Sequence, residues 1–249
     1  MSIGLKLVGI TAPMTDESTS SYVKARPILV AVDNVIFGFD IEEEQLKVLL
    51  FKRKIEPFAG RWSLVGSFVQ PDERAVDASA RILKRFTGLK DVFLEQLHCY
   101  STVDRDPEDR VISIAYYSLI QLEKFKKQLV KKHDAAWFAI SDIPELVLDH
   151  QQMVSDALQK LQENARRRPV GFNLLSSKFT LPQLYKLYQE IYQQPIDDRN
   201  FRKKILATGL LKKLSTKDKS SSKKGAFHYQ FDKSKYNQLE TEGYDIDFH

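Results

Sequence analysis

A single cysteine, Cys99, cannot cross-link within the chain, so the fold rests on no intrachain disulfide and a reducing, cytoplasmic setting is expected. Cys99 lies in an apolar-rich, strand-like stretch and reads as a packed residue rather than a nucleophile. Long hydrophobic runs are also missing. The stretch from Ile112 to Ile120 is among the longest and falls far short of the ~20 residues of a membrane span, so no membrane role is expected. Met1 to Met14 carries one lysine and lacks the hydrophobic region and cleavage site of a secretion signal. There is no internal repeat, and the Lys/Ser tract around Ser220 is too short to form a low-complexity domain. Carboxylates are scarce in one place: between Arg199 and Lys224 there are ten basic residues and one acidic residue, Asp218.

What is present points to two folded units. Hydrophobic residues make up 43% of the 249 residues, enough for real cores. The net charge of +5 is unevenly spread: from Arg166 onward 17 Lys and Arg stand against 9 Asp and Glu, while the preceding residues hold 21 against 24. A mildly acidic part joined to a basic part suits a polyanion partner, or a solubilising surface; composition leaves both open. The order is a polar N-terminal arm over 1–25, an α/β domain over 26–165 and a basic domain over 166–249. Strand patterns run over Ile28–Phe39, Leu46–Lys52, Trp62–Val69, Val92–Val103, Val111–Ile120 and Ala135–Ile140. Between the third and fourth, a turn at Gln70-Pro71-Asp72 leads into a helix with Asp72 as its cap, Val76, Ala80, Leu83 and Thr87 at helical spacing, and Gly88 at its end. Asp149–Glu163 reads as a second helix, and Arg166-Arg167-Arg168-Pro169 as the boundary.

The stretch Leu64–Leu89 resembles the Nudix box, in which Gly, five residues, Glu, seven residues and Arg-Glu precede a Glu-Glu pair and a Gly. In the register that fits, Glu73, Arg81 and Gly88-Leu89 fall at family spacing and Ser67 takes the first position. Trp62-Ser63-Leu64-Val65-Gly66 and Leu50-Phe51-Lys52-Arg53 resemble the flanking segments. The resemblance implies an α-β-α sandwich with a mixed sheet. The family's metal-binding glutamates would occupy positions 82, 85 and 86, where this chain has Ile82, Arg85 and Phe86. Mg²⁺ needs oxygen ligands; Ile and Phe offer none and Arg repels a cation. No metal, no cofactor and no catalytic residue are therefore expected, and the chain is read as not an enzyme. Arg81 is expected to brace Glu73 through a salt bridge, with a ligand-binding role as the alternative. Arg85 either faces solvent or enters the old metal pocket.

The basic domain reads as a winged helix. Thr180–Tyr192 is a helix, a second begins near Asp197 or Asp198 and stops at Gly209, the polar tract Lys212–Lys224 forms a wing, and Phe227, Tyr229 and Phe231 alternate as a strand. In the second helix Phe201 and Ile205 face inward, leaving Arg199, Asn200 and Lys203 outward and flanked by Arg202 and Lys204, which suits a recognition helix in a major groove. Lys212, Lys213, Lys217, Lys223 and Lys224 would meet phosphates from the wing. A protein-binding winged helix with a solvated basic face is the other reading.

Together these segments resemble the Nudix-related transcriptional regulators, in which a degenerate Nudix domain precedes a C-terminal winged helix. The resemblance implies a homodimer on a palindromic operator in double-stranded DNA, released when a metabolite binds the Nudix domain. The arabinose-utilisation repressor branch is the one favoured here, with a pentose such as L-arabinose as effector; a regulator of NAD metabolism responding to ADP-ribose is the alternative. A Nudix hydrolase with relocated ligands and a ligand-free adaptor are the readings of other classes. Arg53, Phe58, Trp62, Ser67, Phe68, Glu73, Arg85 and Tyr100 are the candidate effector-binding residues, and they suit a sugar or a nucleotide equally.

Overall fold

The computed structural model describes residues 26–124, 128, 132–220 and 224–242; the N-terminal arm and Lys223 lie outside them. β1 (Leu29–Asp40) is the spine of a seven-stranded mixed sheet. Along its whole length it runs parallel to β6 (Val111–Gln121). Its other edge changes partner: the first half pairs antiparallel with β4 (Val65–Phe68), Asp33 opposite Gly66, and the end pairs antiparallel with β2 (Gln45–Lys52), Phe37 opposite Val48. β3 (Trp62–Ser63) and β7 (Ala135–Ala139) pair with β2, and β5 (Phe93–Tyr100) pairs with β6. Strands buried on both faces read as near-continuous apolar runs. In β2, Leu46, Val48 and Leu50 enter one core while Leu49 and Phe51 enter the other. Helix α1 (Ala75–Thr87) covers the second core and α2 (His150–Arg167) the first. This is the expected sandwich with a mixed sheet.

α2 runs four residues past the expected Glu163. Arg166 and Arg167 form its last turn, where cations complement the helix dipole, and Pro169 follows. Then come β8 (Phe179–Thr180), α3 (Leu181–Tyr192), α4 (Asp198–Ala207), β9 (Leu211–Asp218), β10 (Ala226–Phe231) and α5 (Lys233–Thr241), with a small sheet in the order β8-β10-β9. Thr180 and Gln183 cap α3 reciprocally, and Asp197 caps α4 by accepting from the Asn200 N–H at 2.6 Å. The winged-helix order is as expected.

Four local expectations are corrected. Trp62–Val69 is not one strand: it breaks at Leu64, whose N–H donates to His150 Nδ1 at 3.0 Å rather than to a neighbouring strand. Asp72 does not cap α1, which starts at Ala75 with Arg74 at the cap position and the Arg74 side chain paired with Asp77. The buried stripe of α1 is rotated, comprising Ala78, Ser79, Ile82, Leu83 and Thr87, because Ser79 hydrogen-bonds Asn34 in β1; Val76 and Ala80 are exposed. Cys99 is exposed, not packed, since β5 is an edge strand whose register shifts between Gln96 and Cys99.

Ile82 is 1% exposed and packs in the core that α1 shares with Val32, Ile36 and Tyr116. Restoring the box carboxylate there by Ile82→Glu should therefore destabilise the protein by about 3 kcal/mol or more, because an ionisable group would be buried without a partner. A urea melt followed by circular dichroism measures this; a variant as stable as the parent would place position 82 at the surface.

Candidate functional site

Where β2 diverges from β1 it leaves a cleft of about 510 Å³. Its walls are the end of β2 with the following residues 52–56, the β3–β4 segment 63–68, Arg85 and Phe86 of α1, and Arg105, Asp106 and Glu108 between β5 and β6. Asp33 of β1 and His150 at the start of α2 form its floor.

The floor is a connected polar network. Asp33 accepts from Ser113 Oγ at 2.6 Å, lies 3.7 Å from His150 Nε2 and 3.9 Å from the Arg105 guanidinium. Arg105 is buried and donates twice to Asp149, at 2.6 and 2.8 Å. Burial pushes the His150 imidazole down despite Asp33 beside it. The neutral ring accepts the Leu64 N–H at Nδ1, which places its remaining proton on Nε2. Gly66 is obligatory beside this network: a Cβ there would lie 2.2 Å from Asp33 Oδ1 and 2.7 Å from the Val32 carbonyl.

Of the candidate effector-binding residues, Arg53, Ser67, Phe68 and Arg85 line the cleft. The other four are directed elsewhere. Trp62 and Ser63 alternate along β3, so Ser63 faces the cleft while Trp62 packs edge-on against Phe138 at 4.8 Å. Phe58, at φ 73°, stacks under Arg61 outside the cleft. Glu73 is held by Arg81, with Nε to Oε2 at 2.9 Å, the expected brace, and those hydrogen bonds keep its carboxyl below the usual range. The Tyr100 hydroxyl donates to Asp156 at 2.6 Å on α2. The sequence reading missed Asp33, Arg105 and His133. The signal for Asp33 was an acidic residue inside an apolar run; nothing local marks Arg105, which reaches the cleft from a loop.

The three altered box positions do not share one environment. Ile82 is buried, Phe86 lines the cleft and packs on Phe51 and His133 at 5.0 and 4.5 Å, and Arg85 is exposed along the cleft wall. These donors do not fit the divalent cation that the fold family implies. Among the described residues no three His, Cys, Asp or Glu side chains converge as metal ligands.

On α4, Phe201 and Ile205 are buried while Arg199, Asn200 and Lys203 are exposed. Arg202 pairs with Asp198 at 2.6 Å, and Lys204 is half-buried. The expected wing is shorter than the tract: Lys212, Lys213 and Lys217 lie on β9, because hydrogen bonding to β10 extends the strand to Asp218. Lys212 is turned to Asp232 at 2.7 Å. Lys213 and Lys217 place their ammonium groups 3.9 and 4.4 Å from the centroid of one ring, Phe227, and Lys224 is exposed. Among the described residues no helix is long and apolar enough to cross a membrane.

Residues 171–231 match the NrtR DNA-binding winged helix domain, and residues 29–157, just over half the chain, match the NUDIX domain. The chain is 27% identical over 207 residues, 82% of each protein, to the ADPR responsive transcriptional repressor NtrR of Acinetobacter baylyi. It is 35% identical over 130 residues, 52% of this chain and 73% of the other, to the ADP-ribose pyrophosphatase of Methanocaldococcus jannaschii. Shewanella oneidensis NrtR, in a crystal structure complexed with a 27mer DNA, superposes with a TM-score of 0.75 at 27% identity, covering 87% of this chain and 97% of that one. The chain thus belongs to the NUDIX domain family and joins to that domain a winged helix of the NrtR type.

Proposed function

We propose that this protein is a DNA-binding transcriptional repressor that is released from its operator by ADP-ribose. The observation that carries the reading is the pairing, in one chain, of a cleft whose box lacks carboxylates at its three metal-binding positions with a winged helix whose outward face is cationic. The relative from Acinetobacter baylyi, named as responsive to ADPR, aligns across both domains, and the Shewanella oneidensis protein of the same shape was crystallised on DNA. A pentose effector, the choice made from the sequence, is set aside. Both curated relatives are named for ADP-ribose, and a cleft with the exposed Arg85 guanidinium on its wall suits a diphosphate better than an uncharged sugar. The carboxylate losses at the box argue for a non-enzymatic role.

Arg199 and Asn200 would read base edges and Lys203 a phosphate, with Lys213 and Lys217 on β9 and Lys224 on the wing beside them. Arg202 and Lys212, each neutralised by a neighbouring carboxylate, contribute less. Asn200→Ala or Arg199→Ala should cost ~1–3 kcal/mol at the operator and relax sequence preference. Lys203→Ala should weaken binding to all sequences and reduce the salt slope by about 1. Fluorescence anisotropy over a salt series distinguishes the two behaviours, and unchanged affinity in all three variants would remove α4 from the interface.

ADP-ribose titrated into the operator complex with Mg²⁺ present should release the DNA and be recovered intact. L-arabinose should leave the complex unchanged. Turnover at ordinary enzyme rates, about 1 per second or more, or release by the sugar alone would overturn the reading.

One winged helix reads few base pairs, and two-fold symmetry doubles the site. The protein should accordingly be a dimer on a palindromic operator. Light scattering that gives a monomer both free and on DNA would contradict this.

A further inference from the structure

The family's metal position carries a guanidinium in this chain. Arg85 stands where the box would have a metal-binding glutamate, is exposed along the cleft wall, and holds its guanidinium carbon 5.7 Å from the centroid of the Phe86 ring. The other cations of the cleft each have a protein contact. Arg53 Nε donates to the Pro57 carbonyl at 2.9 Å, Lys54 pairs with Asp134 at 2.9 Å, and Arg105 is committed to Asp149. Lys52 lies 5.2 Å from the Trp62 ring. Among the described residues Arg85 pairs with no carboxylate. The neighbouring His133 imidazole is pushed down, first by burial and then by Lys132, Arg85 and Lys54, against the opposing pull of Asp134.

We propose that Arg85 binds the diphosphate of the effector in place of a divalent metal, so that the cleft takes diphosphate-bearing ligands in the metal-free state. The proposal rests on the effector reading above. A guanidinium is always charged and offers a planar fork of donors that matches phosphate oxygens two at a time. Mg²⁺ at the same place would need several oxygen ligands, which Ile82 and Phe86 cannot supply, and would be repelled by Arg85. The substitution keeps the positive charge that attracts a diphosphate and discards the ion that would activate water against it. The Phe86 face holds the guanidinium against the cleft wall, which limits the side-chain entropy lost on binding.

Calorimetric titration of the full chain tests this, with inorganic pyrophosphate and ADP-ribose as separate probes, in EDTA, and with ADP-ribose repeated in Mg²⁺. The parent should bind both in EDTA, and Mg²⁺ should not tighten ADP-ribose. Arg85→Ala should weaken both probes about ten- to a hundredfold, and Arg85→Glu should abolish pyrophosphate binding. Binding that appears only with Mg²⁺, or an Arg85→Ala protein within about twofold of the parent, would overturn the role of Arg85 while leaving the effector intact. Pyrophosphate binding through Arg85 without ADP-ribose binding would sustain the anion site and refute the effector. Binding of neither probe would refute both.

Discussion

The apolar face of α2, comprising Met153, Val154, Ala157, Leu161 and Ala165, is buried without interruption from one end of the helix to the other. Its residues belong to the same core as Val35, Phe37 and Tyr117 of the sheet and as Leu184, Tyr188 and Phe201 of the winged helix. The two domains therefore share one hydrophobic core. Each large side chain removed from water here contributes on the order of 2 kcal/mol. Polar contacts at the edge of that core also join the two parts: Gln162 donates to the Ile191 carbonyl at 3.0 Å, Glu190 accepts the Leu46 N–H at 3.1 Å, and, at the surface, Lys186 pairs with Glu44 at 3.3 Å. The helix after the sheet and the helix after β8 are thus held on the same body.

The N-terminal end of the same helix enters the cleft. His150 and Asp149 connect to Asp33 and Arg105, and Asp33 keeps its place because Gly66 opposite it has no side chain. A buried carboxylate is tolerated when its acceptor capacity is used, and here Ser113, His150 and Arg105 surround it. Any occupant of the cleft meets a floor that includes His150 at the start of α2, 12 residues along the chain from Gln162, which bonds the winged helix. α2 is common to the cleft floor and to the core shared with the winged helix.

Much of this was legible in the residues. Nearly continuous apolar strands and the spacing Glu73, Arg81 and Gly88 carried the first fold, and the helix order with Arg199, Asn200 and Lys203 facing outward carried the second and its exposed cationic face. The misses share a cause. Tyr100, Trp62 and Glu73 were placed in the cleft by their chemistry, yet side-chain direction is set by strand alternation and by partners distant in sequence: Asp156 for Tyr100 and Phe138 for Trp62. Arg105 escaped notice because only the fold brings it beside Asp149, 44 positions later. The rotation of α1 depended on Ser79 finding Asn34, a polar pairing that a hydrophobic stripe cannot reveal. Cys99 followed the same logic, since a strand at a sheet edge leaves positions exposed that composition alone would bury.

On the proposed function, the box decides between consuming and sensing a ligand. An enzyme gains by binding the transition state more tightly than the substrate; a regulator gains only from a difference in ligand affinity between its DNA-bound and DNA-free arrangements. That difference is reciprocal, so DNA must weaken the ligand by the factor with which the ligand weakens DNA. Such a balance needs the occupant to stay chemically intact for as long as the complex takes to respond. Ile82 packs α1 on the sheet and Arg85 and Phe86 line the cleft, and none of the three offers the oxygen ligand a hydrolytic metal needs. On the proposed function, the same three positions that end catalysis make the cleft usable as a receptor.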